Sequence, residues 1–248
     1  ICSWIAFAPV LYVLFRKLSI WKSALLGYIF GATLCAIGAS WASYYTVDAL
    51  IKIVLYGGLP YGIWFGLISA FQFSLAPANK TLHLWIRSII PAGSWIIVFA
   101  FTQLLPIGSI VIEVPLSQPL ALMQLASIGS IWPVAILVLW FNAALALCFI
   151  KRTNVTTTIL CISAILSLCC ATWGALRLHN NPHKTQNMKI ALVQPNFPPE
   201  SDWRDAHGDE IMDTTSRMIR EAGRKNPKII FLPQYGLPID PYRDEEFF

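Results

Sequence analysis

Along roughly the first three quarters of the chain, uncharged apolar stretches recur at lengths that suit one crossing of a bilayer, for which about 20 residues are needed. Charged residues fall almost only between them. The stretches 1–15, 23–47, 53–79, 88–112, 114–150 and 153–176 predict six spans, placed near 1–15, 23–47, 53–79, 88–105, 128–150 and 156–176. In the last quarter the pattern changes. Two short apolar runs, 190–193 and 229–232, flank a segment in which Ile211, Met212, Thr215, Met218, Ile219 and Ala222 share one helical stripe, with Asp213, Arg217, Arg220 and Glu221 mainly on the wet side. This predicts strand, helix, strand. A crossover of this length joins two parallel, buried strands, and the loops at their C-terminal ends are where an open α/β sheet presents its chemistry. The expected fold is an integral membrane α-helical bundle over 1–178, a linker over 179–187, and the start of an α/β domain over 188–248.

Composition agrees with the pattern. The 248 residues are only 12% charged, and the mean hydropathy of +0.59 is too high for an ordinary soluble domain. The net charge of +5 joins two unlike parts: residues 1–187 hold ten Lys and Arg against Asp48 and Glu113, whereas residues 188–248 hold eight against eleven acids. Positive charge scattered between apolar spans makes no nucleic-acid surface. It sets orientation instead, because short cytoplasmic loops retain Lys and Arg. Arg16, Lys17 and Lys22 follow the first span, Lys80 and Arg87 the third, Lys151 and Arg152 the fifth. Alternation then puts these three connections inside and residues 188–248 outside, which in a bacterium is the periplasm.

The six cysteines (Cys2, Cys35, Cys148, Cys161, Cys169, Cys170) lie in the apolar part without metal-like spacing and are expected as buried apolar side chains. Pro60, Pro91 and Pro133, with Gly57, Gly58, Gly62 and Gly66, would kink spans or let them pack closely; Gly27 and Gly31 form a small-xxx-small pair. Between Leu105 and Ser127 an apolar, proline-bearing loop is expected to lie in the outer interface, where a lipid would enter, or to pack on neighbouring spans. His179 and His183 are four apart in the linker, but no carboxylate or cysteine joins them and Asn181-Pro182 breaks the helix such spacing needs, so no metal site is expected. Almost no ionisable residue lies within the spans to line a transport pathway.

The strand ends carry a resemblance. Ala191-Leu192-Val193-Gln194-Pro195-Asn196, Trp203, and Ile229-Ile230-Phe231-Leu232-Pro233-Gln234-Tyr235-Gly236-Leu237-Pro238 resemble the opening of a carbon–nitrogen hydrolase (nitrilase) domain. Preceded by membrane spans, that domain is similar to the apolipoprotein N-acyltransferase family. Gln124-Leu125-Ala126-Ser127-Ile128-Gly129 and Asn142-Ala143-Ala144-Leu145 look like that family's sixth span, and Pro91 with Trp95 like the span before it, although the Glu and Arg that follow the Trp in the family are absent. The resemblance implies a nitrilase-type α/β sandwich outside a bacterial inner membrane, with a phospholipid as acyl donor and the N-terminal diacylglyceryl-cysteine of a lipoprotein as acceptor, and no cofactor. It also implies one span before Ile1 and a larger domain after Phe248, so the chain is expected to be a fragment.

In that family a cysteine thiolate attacks the acyl carbonyl, a glutamate moves the proton, and a lysine helps hold the oxyanion. The glutamate's position is Gln234 here. Glutamine keeps the shape but cannot take a proton, and losing a general base costs about 10²–10⁴ in rate. The family's lysine and cysteine lie beyond Phe248, so the sequence as given is expected to be inactive. Gln234 is compatible with natural loss of activity, with a change that traps the thioester, or with a role for Glu245 or Glu246 instead. Trp203 corresponds to a tryptophan near the family's acyl-chain site, or is a core aromatic; Gln194 and Asn196 correspond to a polar pair that orients the first loop. Tyr235 and Gly236 replace a smaller polar residue and alanine, which would reshape the pocket. Two further functions stay open: a membrane-anchored amidase, and a non-catalytic paralogue that binds lipid, lipoprotein or a partner enzyme.

Overall fold

In hydrocarbon a chain must satisfy its own amides, and a helix does so within the segment. The computed structural model describes residues 3–16, 18–44, 46–74, 79–102, 120–180, 188–198 and 206–233. Its order is α1 (Ser3–Ala6), α2 (Ala8–Leu14), α3 (Ile20–Gly38), a 3₁₀ turn (Ser40–Tyr44), α4 (Val47–Ser74), α5 (Lys80–Thr102), α6 (Leu120–Met123), α7 (Ala126–Gly129), α8 (Trp132–Ile150), α9 (Asn154–Asn180), β1 (Ile190–Leu192), α10 (Gly208–Gly223) and β2 (Ile229–Phe231). Five of these helices, α3, α4, α5, α8 and α9, are long and apolar enough to cross a membrane; Trp4–Leu14 and Leu120–Gly129 are shorter apolar segments. The protein is a multi-pass membrane protein. Where a first span is expected near 1–15, the described residues form the broken pair α1–α2.

The chain divides into two compact units, one of Ile1–Ser40 and Asp48–Pro182, the other of Trp41–Val47 and His183–Phe248. The first is built round aromatic rings. Trp64 and Phe65 are fully buried on α4, and Trp64 meets Trp95 of α5 edge to face with centroids 4.8 Å apart. The Trp64 Nε1–H donates to the carbonyl of Pro91 at 2.9 Å, so the bulkiest ring in the core also satisfies its polar atom. Pro60 and Pro91 lie within helices. Pro133 does not: it occupies the first turn of α8, where its missing N–H has no intrahelical partner to lose. Gly27 and Gly31 let α3 approach α4 until no space remains for a side chain, since a Cβ on either would overlap Tyr61.

Several polar groups inside this unit are paired, although the buried Gln72 Nε2 and Arg87 Nε have no hydrogen-bond partner among the described residues. The Asn142 side chain, fully buried on α8, accepts from the backbone N–H groups of Phe7 at 3.1 Å and Ala8 at 2.9 Å, and donates to the carbonyl of Val138 at 2.8 Å. Those two amides lie at the break between α1 and α2, where Pro9 sits in the first turn of α2. Ser69 donates to Ser23 at 2.6 Å, and Trp140 Nε1 to Ser88 at 3.1 Å. Arg87, expected in a connection, lies within α5: its Nη2 donates to the carbonyl of Phe15 at 2.6 Å and to Gln72 Oε1 at 3.3 Å, with the guanidinium over the Phe15 ring. It caps the C-terminus of α2.

The cysteines require a correction. Cys35 is buried, but Cys148 and Cys170 are partly exposed and Cys161 and Cys169 exposed on the helix surfaces. In a bilayer an apolar side chain needs no protein cover, because lipid tails serve equally well.

In the second unit β1 and β2 pair in parallel, Ile190 with Ile229, Ala191 with Ile230 and Leu192 with Phe231. The ladder extends by Val193 N–H to the Phe231 carbonyl at 2.9 Å and Lys228 N–H to the Lys189 carbonyl at 2.8 Å. Helix α10 follows the expected stripe: Ile211 and Thr215 are fully buried, while Asp213, Arg217, Arg220 and Glu221 are exposed. Burial of the strands is one-sided. Ala191 and Ile230 are half-covered, whereas Ile190, Leu192, Ile229 and Phe231 are exposed among the described residues, because one helix covers one face.

Candidate functional site

The parallel register fixes where the strand-end residues stand in the chain. Leu192 and Phe231 share a rung, so Gln194 comes two residues beyond it on one strand, and Gln234 three residues beyond it on the other. Gln194 and Asn196 are both exposed in the loop after β1. Asn196 has φ 58°, a left-handed conformation that asparagine tolerates better than most side chains because its short amide bonds locally. It turns the chain straight after Pro195. Neither side chain bonds to another described residue. Trp203, Gln234 and Tyr235 lie outside the described residues; Leu232 and Pro233, which lead to Gln234, are half-buried.

A second turn with the same geometry feeds β2. Asn226, at φ 49°, precedes Pro227 and reverses the chain after α10. Asparagine supplies the positive φ, and proline after it bars helix continuation. Both strand-flanking turns of this unit thus use Asn in place of Gly, a signal readable only once φ is known.

In the membrane unit, α6 and α7 form a short kinked segment lodged on α9. A Cβ on Gly174 would overlap the carbonyl of Ala121, so only glycine allows this approach. Arg177, in the last turn of α9, donates to the Ser127 hydroxyl and lies over the Trp173 ring, 5.3 Å from its centroid. Leu122 and Leu125 are buried against Val134, Leu137 and Val138 of α8. The C-terminal part of the expected interfacial loop therefore packs on neighbouring helices. Residues 103–119, which hold the rest of it, lie outside the described residues. Among the described residues no three His, Cys, Asp or Glu gather as a metal site would require.

No family model matches the chain. It is 28% identical over 212 residues to the apolipoprotein N-acyltransferase of Rickettsia bellii, which covers 77% of this chain and 39% of that protein. The corresponding protein of Rickettsia prowazekii is 26% identical over 236 residues, covering 82% of this chain and 44% of its own length. That of Shewanella oneidensis is 27% identical over 271 residues, covering 98% and 49%. The chain thus spans less than half the length of these relatives. From the apolar bundle through the strand, helix and strand that follow it, the chain resembles the apolipoprotein N-acyltransferases.

Proposed function

We propose that the chain serves lipoprotein acylation at a bacterial inner membrane, as part of a protein that moves an acyl chain from a phospholipid to the N-terminal amine of a diacylglyceryl-cysteine. The observation that carries this is the likeness to three apolipoprotein N-acyltransferases over 77–98% of the chain. The parallel pair β1–β2 with its amphipathic crossover supports a nitrilase-type sandwich in the second unit. Basic residues after α2, at the first position of α5, and between α8 and α9 support a cytoplasmic placement of that end. An odd number of crossings then delivers residues 188–248 to the periplasm, where lipoprotein acceptors are. Trp203, Gln194, Asn196 and Tyr235 would border the acyl and acceptor sites, and the α6–α7 segment against α9 would lie near the lipid's approach.

Gln234 favours a second reading. An amide at the position of the general base can hold a substrate by hydrogen bonds but cannot take its proton. The protein would then bind the acyl donor or the lipoprotein without turnover. The test is to express the full-length protein, and its Gln234→Glu variant, in cells depleted of their own acyltransferase. Mass spectrometry of a lipoprotein N-terminus reads the third acyl chain. Acylation by Gln234→Glu alone supports an acyltransferase framework silenced at this residue; acylation by neither, with lipopeptide still bound, supports the binding role; neither acylation nor binding removes both.

A further inference from the structure

On the outer face of the bundle a groove of about 530 Å³ runs between the first helices and α8, lined by Ile5, Ala8, Pro9, Tyr12, Leu145 and Phe149. Its size falls within the roughly 300–1,000 Å³ of ligand sites. Its wall is almost wholly apolar, and with the basic ends of both helices at the cytoplasmic side, as proposed above, its two sides run the same way. Asn142 bonds to Phe7 and Ala8, so those residues share a level. From that level a helical rise of about 1.5 Å per residue carries α2 to Arg16 and α8 to Lys151 over similar distances, roughly 12–14 Å. The groove therefore ends between cations contributed by both of its walls.

One of those cations is tied to the wall, and the turn that carries the other two is fixed. Arg16 lies over the Tyr12 ring, 4.6 Å from its centroid, which ties a charge to a lining residue. Lys151 and Arg152 occupy the turn between α8 and α9, fixed by a reciprocal cap in which Thr156 N–H donates to Thr153 Oγ1 at 3.2 Å and Thr153 N–H to Thr156 Oγ1 at 2.9 Å. Among the described residues of this unit no acidic side chain answers them: Asp48, the one acid described there, pairs with Lys52.

We propose that this groove binds one acyl chain of an anionic phospholipid, whose phosphate is held by Arg16, Lys151 and Arg152. The occupant combines what the site combines, an uncharged tail and an anion at one end. This lipid is not the acyl donor proposed above. Its anion is held where α9 begins, and the inference stands whether or not acyl transfer occurs.

Native mass spectrometry of the full chain in detergent, titrated with phosphatidylglycerol or with phosphatidylcholine of equal chain length, tests it. Basic residues near anionic headgroups attract them, so with three at this site phosphatidylglycerol is expected to be held at least about ten-fold more tightly. Combining Arg16→Gln, Lys151→Gln and Arg152→Gln is expected to erase that preference, while Lys22→Gln with Lys80→Gln, at the same end but outside the groove, leaves it intact. Leu145→Trp is expected to fill the groove and release either lipid; the charge variants keep the lining intact and decide the matter should that variant not fold. Excess inorganic phosphate is expected not to compete. Equal binding of the two lipids, a preference lost equally in the Lys22 and Lys80 variant, displacement by free phosphate, or a lipid-free dimer covering the groove would overturn the proposal.

Discussion

Asn142 does for a broken helix what water does at a surface: it supplies an acceptor to the two amides at the break. An interhelical hydrogen bond in a membrane is worth about 0.6 kcal/mol on average. An orphaned amide in hydrocarbon costs several times that, on the order of 1–3 kcal/mol. The penalty for losing Asn142 is therefore set by the two N–H groups left behind. Asn142→Leu, similar in volume, is expected to lower stability by about 2–4 kcal/mol, seen as a fall in thermal midpoint in detergent. An unchanged midpoint would mean that water or another side chain takes over. The residue was legible in the sequence by likeness to a family segment, but its task was not, because its partners lie 135 and 134 positions away. Arg87 shows the same limit: a cation between apolar stretches signals a connection, yet here it turns inward to cap α2. Of the strand-end residues, Gln194 and Asn196 stand in the first loop as expected, and the left-handed turn at Asn196 had no periodic signal to announce it.

Among the elements, periodicity carried furthest where one face is wet. The stripe on α10 and the exposed charges opposite it follow the 3.6-residue pattern, and its two flanking strands pair in parallel as a crossover of that length requires. Ile211 is the fully buried anchor of this helix; Ile211→Ala is expected to cost about 2–5 kcal/mol of local stability, measured as faster hydrogen exchange across α10 and β2. The spans gave weaker boundaries, because hydropathy cannot see where helices cross. α3 ends at Gly38, well before 47, since Ser40–Tyr44 turns the chain in 3₁₀ form. Gly31 and Gly174 mark the closest approaches. Gly31→Leu is expected to push α4 off α3, and Gly174→Val to expel α6 from α9. Cross-linking between cysteines placed on each facing pair would register both, and undiminished yields would show that the helices accommodate the added bulk.

For the molecule as a whole, the multi-pass membrane character was the most legible property, because long uncharged stretches recur along the chain; the orientation expected from ten basic residues against two acids in 1–187 is what labelling tests. A cysteine introduced at Asp213, on the exposed side of α10, is expected to react with an impermeant maleimide in intact cells. One at Lys80 is expected to react only after lysis. The opposite result would place residues 188–248 in the cytosol and end the lipoprotein proposal. The chemistry was least legible, since Gln234, expected at the family's base position, lies outside the described residues and the chain covers less than half of its relatives.

The clasp made by Asn142 also imposes a timetable. At 5–20 residues per second, a ribosome needs about 7–30 s after polymerising Phe7 to reach the asparagine that completes it. Throughout that interval the peptide groups of Phe7 and Ala8 wait without their permanent acceptor in an oily medium. The nascent segment must then stay in the hydrated channel of the insertion machinery, or borrow a temporary ligand, until α8 arrives. Chains arrested before position 142 should accordingly remain cross-linkable to that machinery, and chains arrested after α8 has emerged should let go.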